Sequence, residues 1–143
     1  MQTLLGKTFE IECRNIGDQI ENILGGKINK RSGADFGFWE CKSKKSDAKS
    51  PMTLGGRASV SKIEILASVY DKVDNTILVW YTINENKTFT IDKITILFDM
   101  DIDRFFDVEN NFMYFESRKK QTTIRISKKH FLELYGKNKI EYW

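Results

Sequence analysis

TILVWYTINENKTFTIDKITILF, residues 76–98, is the stretch that decides the fold class. Thr76 to Ile83 and Thr88 to Phe98 are dense in β-branched and aromatic residues, which predicts two strands. Asn84 to Lys87 is the turn between them. Immediately upstream, Ile63, Ile65, Ala67 and Val69 alternate with Lys62, Glu64, Leu66 and Ser68. That alternation predicts a half-buried strand, and with Asp71 to Asn75 as a turn the three strands form a meander.

Working outward, Ile102 to Val108 predicts one or two helical turns. Phe112 to Phe115 and Thr122 to Ile126 predict a hairpin around the basic turn Arg118-Lys119-Lys120. Ser127 then caps a short helix that ends at Gly136, and Ile140 to Trp143 is a terminal strand. Towards the N-terminus, Phe9, Cys13, Ile16, Ile20, Ile23 and Leu24 form an apolar helix stripe. Gly17 weakens that helix, Asp18 starts its second piece and Gly25-Gly26 stops it. Asn29 to Gly33 reads as a turn, and Phe36 to Lys42 as a short aromatic strand. Ser43 to Ser50 is polar, and Gly55-Gly56 marks a break. The order is that of an α+β fold with a central mixed, mostly antiparallel sheet flanked by helices.

The chain has 143 residues, 41% of them hydrophobic and 30% charged, which is one compact domain over 1–143 and neither a disordered nor a fibrous chain. A chain of this length buries enough surface to fold without disulfides or a structural metal. Lys and Arg number 23 against 20 Asp and Glu, a net charge of +3, so any nucleic-acid role must come from local patches. Cys13 and Cys41 are too few for a disulfide scaffold and read as reduced thiols. His130 is the one histidine, which argues against His-rich metal sites and His-dependent triads. The N-terminal residues lack the pattern of a signal peptide, and no apolar run reaches the roughly 18 residues of a membrane span. The expected setting is cytoplasmic.

Gly33-Ala-Asp35-Phe-Gly-Phe-Trp-Glu40-Cys-Lys42 carries the chemistry. On a strand, Glu40 and Lys42 project to one face while Trp39 and Cys41 turn to the other, into a core. Asp35 precedes the strand and can turn to the same place. Mg²⁺ prefers hard oxygen ligands, which Asp35, Glu40 and the carbonyl of Cys41 could supply. Such an ion would neutralise phosphate charge and lower the pKa of a bound water. Lys42 could hold that water or stabilise charge built up on the phosphate. Glu21, on the preceding helix, either reaches the same site or is an ordinary solvated glutamate.

Gly17-Asp-Gln-Ile-Glu21-Asn-Ile-Leu-Gly25, Ala34-Asp35-Phe-Gly-Phe-Trp-Glu40-Cys-Lys42 and Ala48-Lys-Ser-Pro-Met-Thr53-Leu54 together resemble the MvaI/BcnI type of restriction endonuclease. That type is related to the mismatch-repair nicking enzyme MutH, within the PD-(D/E)xK nucleases. Thr122-Thr-Ile-Arg125-Ile-Ser and Phe131-Leu-Glu-Leu-Tyr-Gly136 resemble its C-terminal strand and helix. The resemblance implies a restriction-endonuclease-like core and a Mg²⁺-dependent, sequence-specific endonuclease acting on double-stranded DNA. In it, Asp35 and Glu40 would be metal ligands, Lys42 the catalytic lysine and Glu21 the supporting acid. The chain differs from the family pattern at Ala34, where proline is usual, at Gly55, and in the loop 116–121, which has no histidine. A MutH-like nicking or junction-resolving nuclease, and a catalytically inactive DNA-binding module, are the alternatives. Either a monomer or a homodimer fits.

Ser117 to His130 holds Arg118, Lys119, Lys120, Arg125, Lys128 and Lys129 and no acid. It is either a solvated basic turn or a phosphate-binding patch. Arg118 and Gln121 at the hairpin tip have the chemistry to read guanine and adenine in a major groove. Lys44 and Lys45, with Thr53, form a second candidate backbone grip, and Asn29-Lys30-Arg31 a third. His130 reads as exposed or packed. Asp99, Asp101 and Asp103 alternate like a calcium loop but lack its glycine and distal glutamate.

Overall fold

The computed structural model describes residues 4–24, 39–58, 61–118 and 121–143. Along the chain run β1 (Thr8–Glu10), α1 (Ile16–Ile23), β2 (Glu40–Lys45), β3 (Met52–Ala58), α2 (Lys62–Val73), β4 (Thr76–Ile83) and β5 (Thr88–Leu97). These are followed by α3 (Ile102–Phe106), β6 (Tyr114–Arg118), β7 (Gln121–Ile126), α4 (Lys128–Glu133) and β8 (Lys139–Tyr142). The expected mixed sheet with flanking helices is present. β4 and β5 pair antiparallel, β2 joins β4 in parallel, and β1 and β8 pair with opposite ends of β5. A second sheet has the order β3-β7-β6, all antiparallel.

The segments 76–83 and 88–97, the 114–126 hairpin, the Ser127-capped helix and the terminal strand form as expected. Three readings are corrected. Residues 62–73 are a helix, not a strand, so β4 has the parallel β2 beside it rather than a third meander strand. Ser61 and Glu64 form a capping box, and Ile65, Leu66, Val69 and Val73 are buried at helical spacing while Ile63 is exposed. The long N-terminal helix is two elements. Phe9 lies in β1, and the helix starts only after Asn15, whose side chain accepts from the Gly17 amide at 2.8 Å. Buried Gln19 fixes the link between them, accepting from Glu12 N at 2.9 Å and donating to Glu10 O at 2.7 Å. Gly55-Gly56 does not break the chain but lies inside β3, at a register shift between Thr53 and Gly55. The predicted Gly25-Gly26 stop, the Asn29–Gly33 turn and Phe36–Phe38 lie outside the described residues.

The larger sheet separates two cores. Ile77, Val79, Phe89, Ile91 and Ile94 pack with Ile20 of α1 on one face. Leu78, Trp80 and Leu97 on the other face pack with α2, α4 and the inner residues of β3 and β7. Side-chain alternation along β2 therefore sends its odd and even residues into different environments.

Candidate active site

Register fixes where the Glu40-x-Lys42 pair sits. Glu40, Lys42 and Lys44 stand opposite Thr76, Leu78 and Trp80 of β4, so they face the core shared with α2 and the smaller sheet. Cys41 joins the opposite core, as expected from the sequence. No disulfide joins Cys13 and Cys41. The amide of Glu40 donates to Asn75 O at 2.8 Å. By alternation, the backbone carbonyl of Cys41 lies on the side of β2 away from β4.

Glu40 is only 1% exposed, so its carboxylate must be paired to remain ionised. Among the described residues, two ammonium groups meet it. Lys42 Nζ is 3.9 Å from Oε2, and Lys72 Nζ of α2 is 3.1 Å from the same oxygen. Lys42 also donates to Thr53 O at 3.1 Å, which ties β2 to the irregular segment of β3. Gly55 there has φ +127, and a Cβ on it would lie 3.7 Å from both Lys72 Nζ and Val69 Cγ2. The end of α2 is held in turn by buried Tyr135, which donates to Val73 O and bonds Thr76 Oγ1 at 3.0 Å. Burial pushes the Tyr135 phenol above its ordinary range.

Lys72 was not visible as a site residue because it falls in Asp71 to Asn75, which reads as a turn after a strand. Read as a helix, Ile65, Val69 and Lys72 fall at i, i+4 and i+7, placing a lysine in the buried stripe. That misplaced charge is the signal that could have found it.

Glu21 is buried rather than solvated. Its helix approaches β2 where a Cβ on Gly17 would come within 3.0 Å of Ser43 Oγ, on the Cys41 side of the sheet. Asp35 lies outside the described residues. Among the described residues, no three His, Cys, Asp or Glu side chains are grouped to hold a metal ion. The oxygen donors of Glu40 and Cys41 match the hard-ligand preference of Mg²⁺, and Asp35 would be needed to supply the second carboxylate.

No protein-family model matches the chain. No curated protein matches it in sequence. Among solved structures, it matches one described as "Restriction endonuclease MvaI-cognate DNA substrate complex", with a TM-score of 0.66 and 13% identity over 90% of each chain. The fold is that of a restriction endonuclease. At this identity the likeness concerns architecture.

Within this restriction-endonuclease fold, the basic residues expected to bind DNA fall into two groups. Lys44, Arg125 and Lys128 cluster on the Lys42 side of the sheet. Lys44 Nζ donates to Ser50 Oγ at 3.0 Å and to Pro51 O at 3.2 Å, while Arg125 Nη2 donates to the same carbonyl at 3.3 Å. Arg125 also pairs with Glu116 at 3.5 Å. Burial, then Lys128 and Arg125, lower the Lys44 pKa from its ordinary value. Thr53, paired with Arg125 in the sheet register, is exposed on β3, and Lys45 is exposed at the end of β2. The second group is the hairpin tip. Arg118 ends β6 and pairs in register with exposed Gln121, which opens β7, while Lys119 and Lys120 lie outside the described residues.

Other candidates have local roles. Asp101 caps α3, accepting from the Arg104 amide at 3.1 Å, so the Asp99–Asp103 alternation is partly a helix cap. His130 bonds Ser127 Oγ through Nδ1 at 2.6 Å and packs on Phe112. Among the described residues, no helix is long and apolar enough to cross a membrane.

Proposed function

We propose that the chain is a Mg²⁺-dependent endonuclease that hydrolyses phosphodiester bonds in double-stranded DNA at specific sites. The observation that carries this reading is the buried Glu40 carboxylate beside Lys42 on one strand of a restriction-endonuclease fold. The solved neighbour is itself a complex with cognate DNA substrate. Its architecture supports the same partner for this chain.

Asp35 and Glu40, with the Cys41 carbonyl, would hold Mg²⁺. When bound, the ion supplies charge neutralisation at the phosphate and acidifies water. Lys42 would orient the attacking water and donate to a phosphate oxygen as negative charge builds there. A new bond forms from the water oxygen to phosphorus, and the bond from phosphorus to one sugar oxygen breaks. The products are a phosphate monoester and a hydroxyl. Lys72 pairs with Glu40, and Glu21 would act as a supporting acid. Lys44, Lys45, Thr53 and Arg125 would contact the backbone, and Arg118, Lys119, Lys120 and Gln121 a groove.

The test is incubation with long duplex DNA and Mg²⁺ beside EDTA and Lys42→Ala controls. Discrete fragments lost in both controls are expected. Nicks or branch-specific cuts would instead indicate the repair-type nuclease. Salt-sensitive binding with no cleavage would overturn the enzymatic reading and leave a DNA-binding module.

A further inference from the structure

A row of side chains crosses the larger sheet on the same face as Glu40 and Lys42. Lys44 stands opposite Trp80, and Trp80 opposite Lys93. Lys93 Nζ lies 4.6 Å from the centres of both the Trp80 and Trp143 rings, so an ammonium is sandwiched between two indoles. Lys128 Nζ adds a second cation 5.1 Å from Trp80. Trp80 is buried, and its indole N–H donates to Thr95 Oγ1 at 3.1 Å. Trp143 is 79% exposed, although its inner side is covered by Lys93. An indole held in place by a cation, with its outer surface in water, has the geometry of a stacking platform.

Trp80, Lys93 and Trp143 line a cleft of about 390 Å³ together with Ser46 and Asp92. Asp92 accepts hydrogen bonds from the Ser46 and Thr82 hydroxyls, which fix its carboxylate beside the cleft. A carboxylate there repels a phosphate but accepts from the amino group of a base. The adjoining cations Lys44, Lys128 and Arg125 have the opposite preference. Glu116 pairs with Arg125, and burial, followed by the charges of Lys128 and Arg125, lowers the Lys44 pKa. The row thus offers a π surface and an amino-group acceptor at one end and anion sites at the other. A single-stranded nucleic acid presents both chemistries, one base and one phosphate per nucleotide.

We propose that Trp143, Lys93 and Asp92 form a platform on which an unpaired DNA base stacks, while Lys44 and Lys128 hold the adjoining phosphates. The proposal extends the DNA reading above. It adds a preference for substrates with a single-stranded tail or an extruded base next to the duplex.

The experiment measures binding of fluorescein-labelled DNA to the full chain in EDTA, so that cleavage plays no part. One duplex is blunt, and the other carries a four-nucleotide 3′ or 5′ tail. Tailed DNA is expected to bind about tenfold tighter, from the range typical of one stacked base. Trp143→Ala should remove that preference while leaving blunt-duplex affinity and thermal stability unchanged, and Trp143→Phe should retain most of it. Equal affinity for the two DNAs, or an unaltered preference in Trp143→Ala, would overturn the platform and leave the nuclease reading intact. Failure to bind either DNA would overturn both. A retained tail preference without Mg²⁺-dependent cleavage would support the platform and refute only the enzymatic reading.

Discussion

Replacing Lys72 with methionine keeps most of the side-chain volume and removes the nearer of the two ammonium groups that meet Glu40 among the described residues. At an effective dielectric of about 20, a charge at the 3.1 Å of Lys72 attracts the carboxylate by roughly 5 kcal/mol, and one at the 3.9 Å of Lys42 by roughly 4 kcal/mol. These are gross attractions, and most of each offsets desolvation of the buried carboxylate. Breaking a buried pair by removing one partner costs about 3–5 kcal/mol. The Lys72 side chain is 24% exposed and Lys42 remains, which puts the expected loss at the lower end, about 2–3 kcal/mol. Urea denaturation should show a lower midpoint with an unchanged slope. Glu40→Gln in the Lys72→Met background should recover part of the loss, giving a coupling energy above about 1 kcal/mol in the double-mutant cycle. A loss below about 0.5 kcal/mol, or strict additivity, would refute the claim that the Lys72–Glu40 pair stabilises the fold.

Other variants test the neighbouring geometry. Gly55→Ala should lower stability by about 1–3 kcal/mol, because φ +127 disfavours any L side chain although its Cβ would make only ordinary contacts; thermal melting measures this. Lys44→Met should lower the slope of log affinity for duplex DNA against log salt by about 1, read by anisotropy titration. The folded-state pKa of Lys44 is lowered, so its charge opposes folding at neutral pH and this cost fades as pH rises through that pKa. DNA affinity should correspondingly fall over the same alkaline window in the wild type and not in Lys44→Met. Asp74 is raised by burial, and nearby Asp99 and Asp71 add to the shift, so its carboxylate favours folding least when ionised. Asp74→Asn should therefore raise the melting temperature at neutral pH, and the gap should close as acid protonates the wild-type residue.

Much of the architecture was legible because its strands are locally unambiguous. Residues 76–97 alternate between two cores, and their β-branched density leaves no competing reading. The error at 62–73 has a definite origin. Ile63, Ile65, Ala67 and Val69 satisfy a period of two, while Ile65, Leu66, Val69 and Val73 satisfy a helical one, and the Ser61–Glu64 capping box decides between them. That error also concealed Lys72. The Glu40-x-Lys42 alternation was legible because it needs only strand geometry. The burial of Glu40 was not, because it depends on α2 and β3 packing over β2. Nor could the sequence place Trp143 on Lys93, since that contact needs β8 to pair with β5.

Among the described residues, β2 has a strand partner on one side only, β4. By alternation, the backbone groups of Ser43 and Lys45 turn to its other margin, the kind of edge to which another chain's strand could add. Lys45 is exposed where β2 ends, and half-buried Lys44 stands one residue before it. Like charges brought into register across two such edges repel each other, so the lysines that would grip DNA also keep copies of the protein from joining edge to edge. Neutralising both should therefore shorten the time the protein stays clear in concentrated solution, and DNA that engages them should have to cover the margin it discharges.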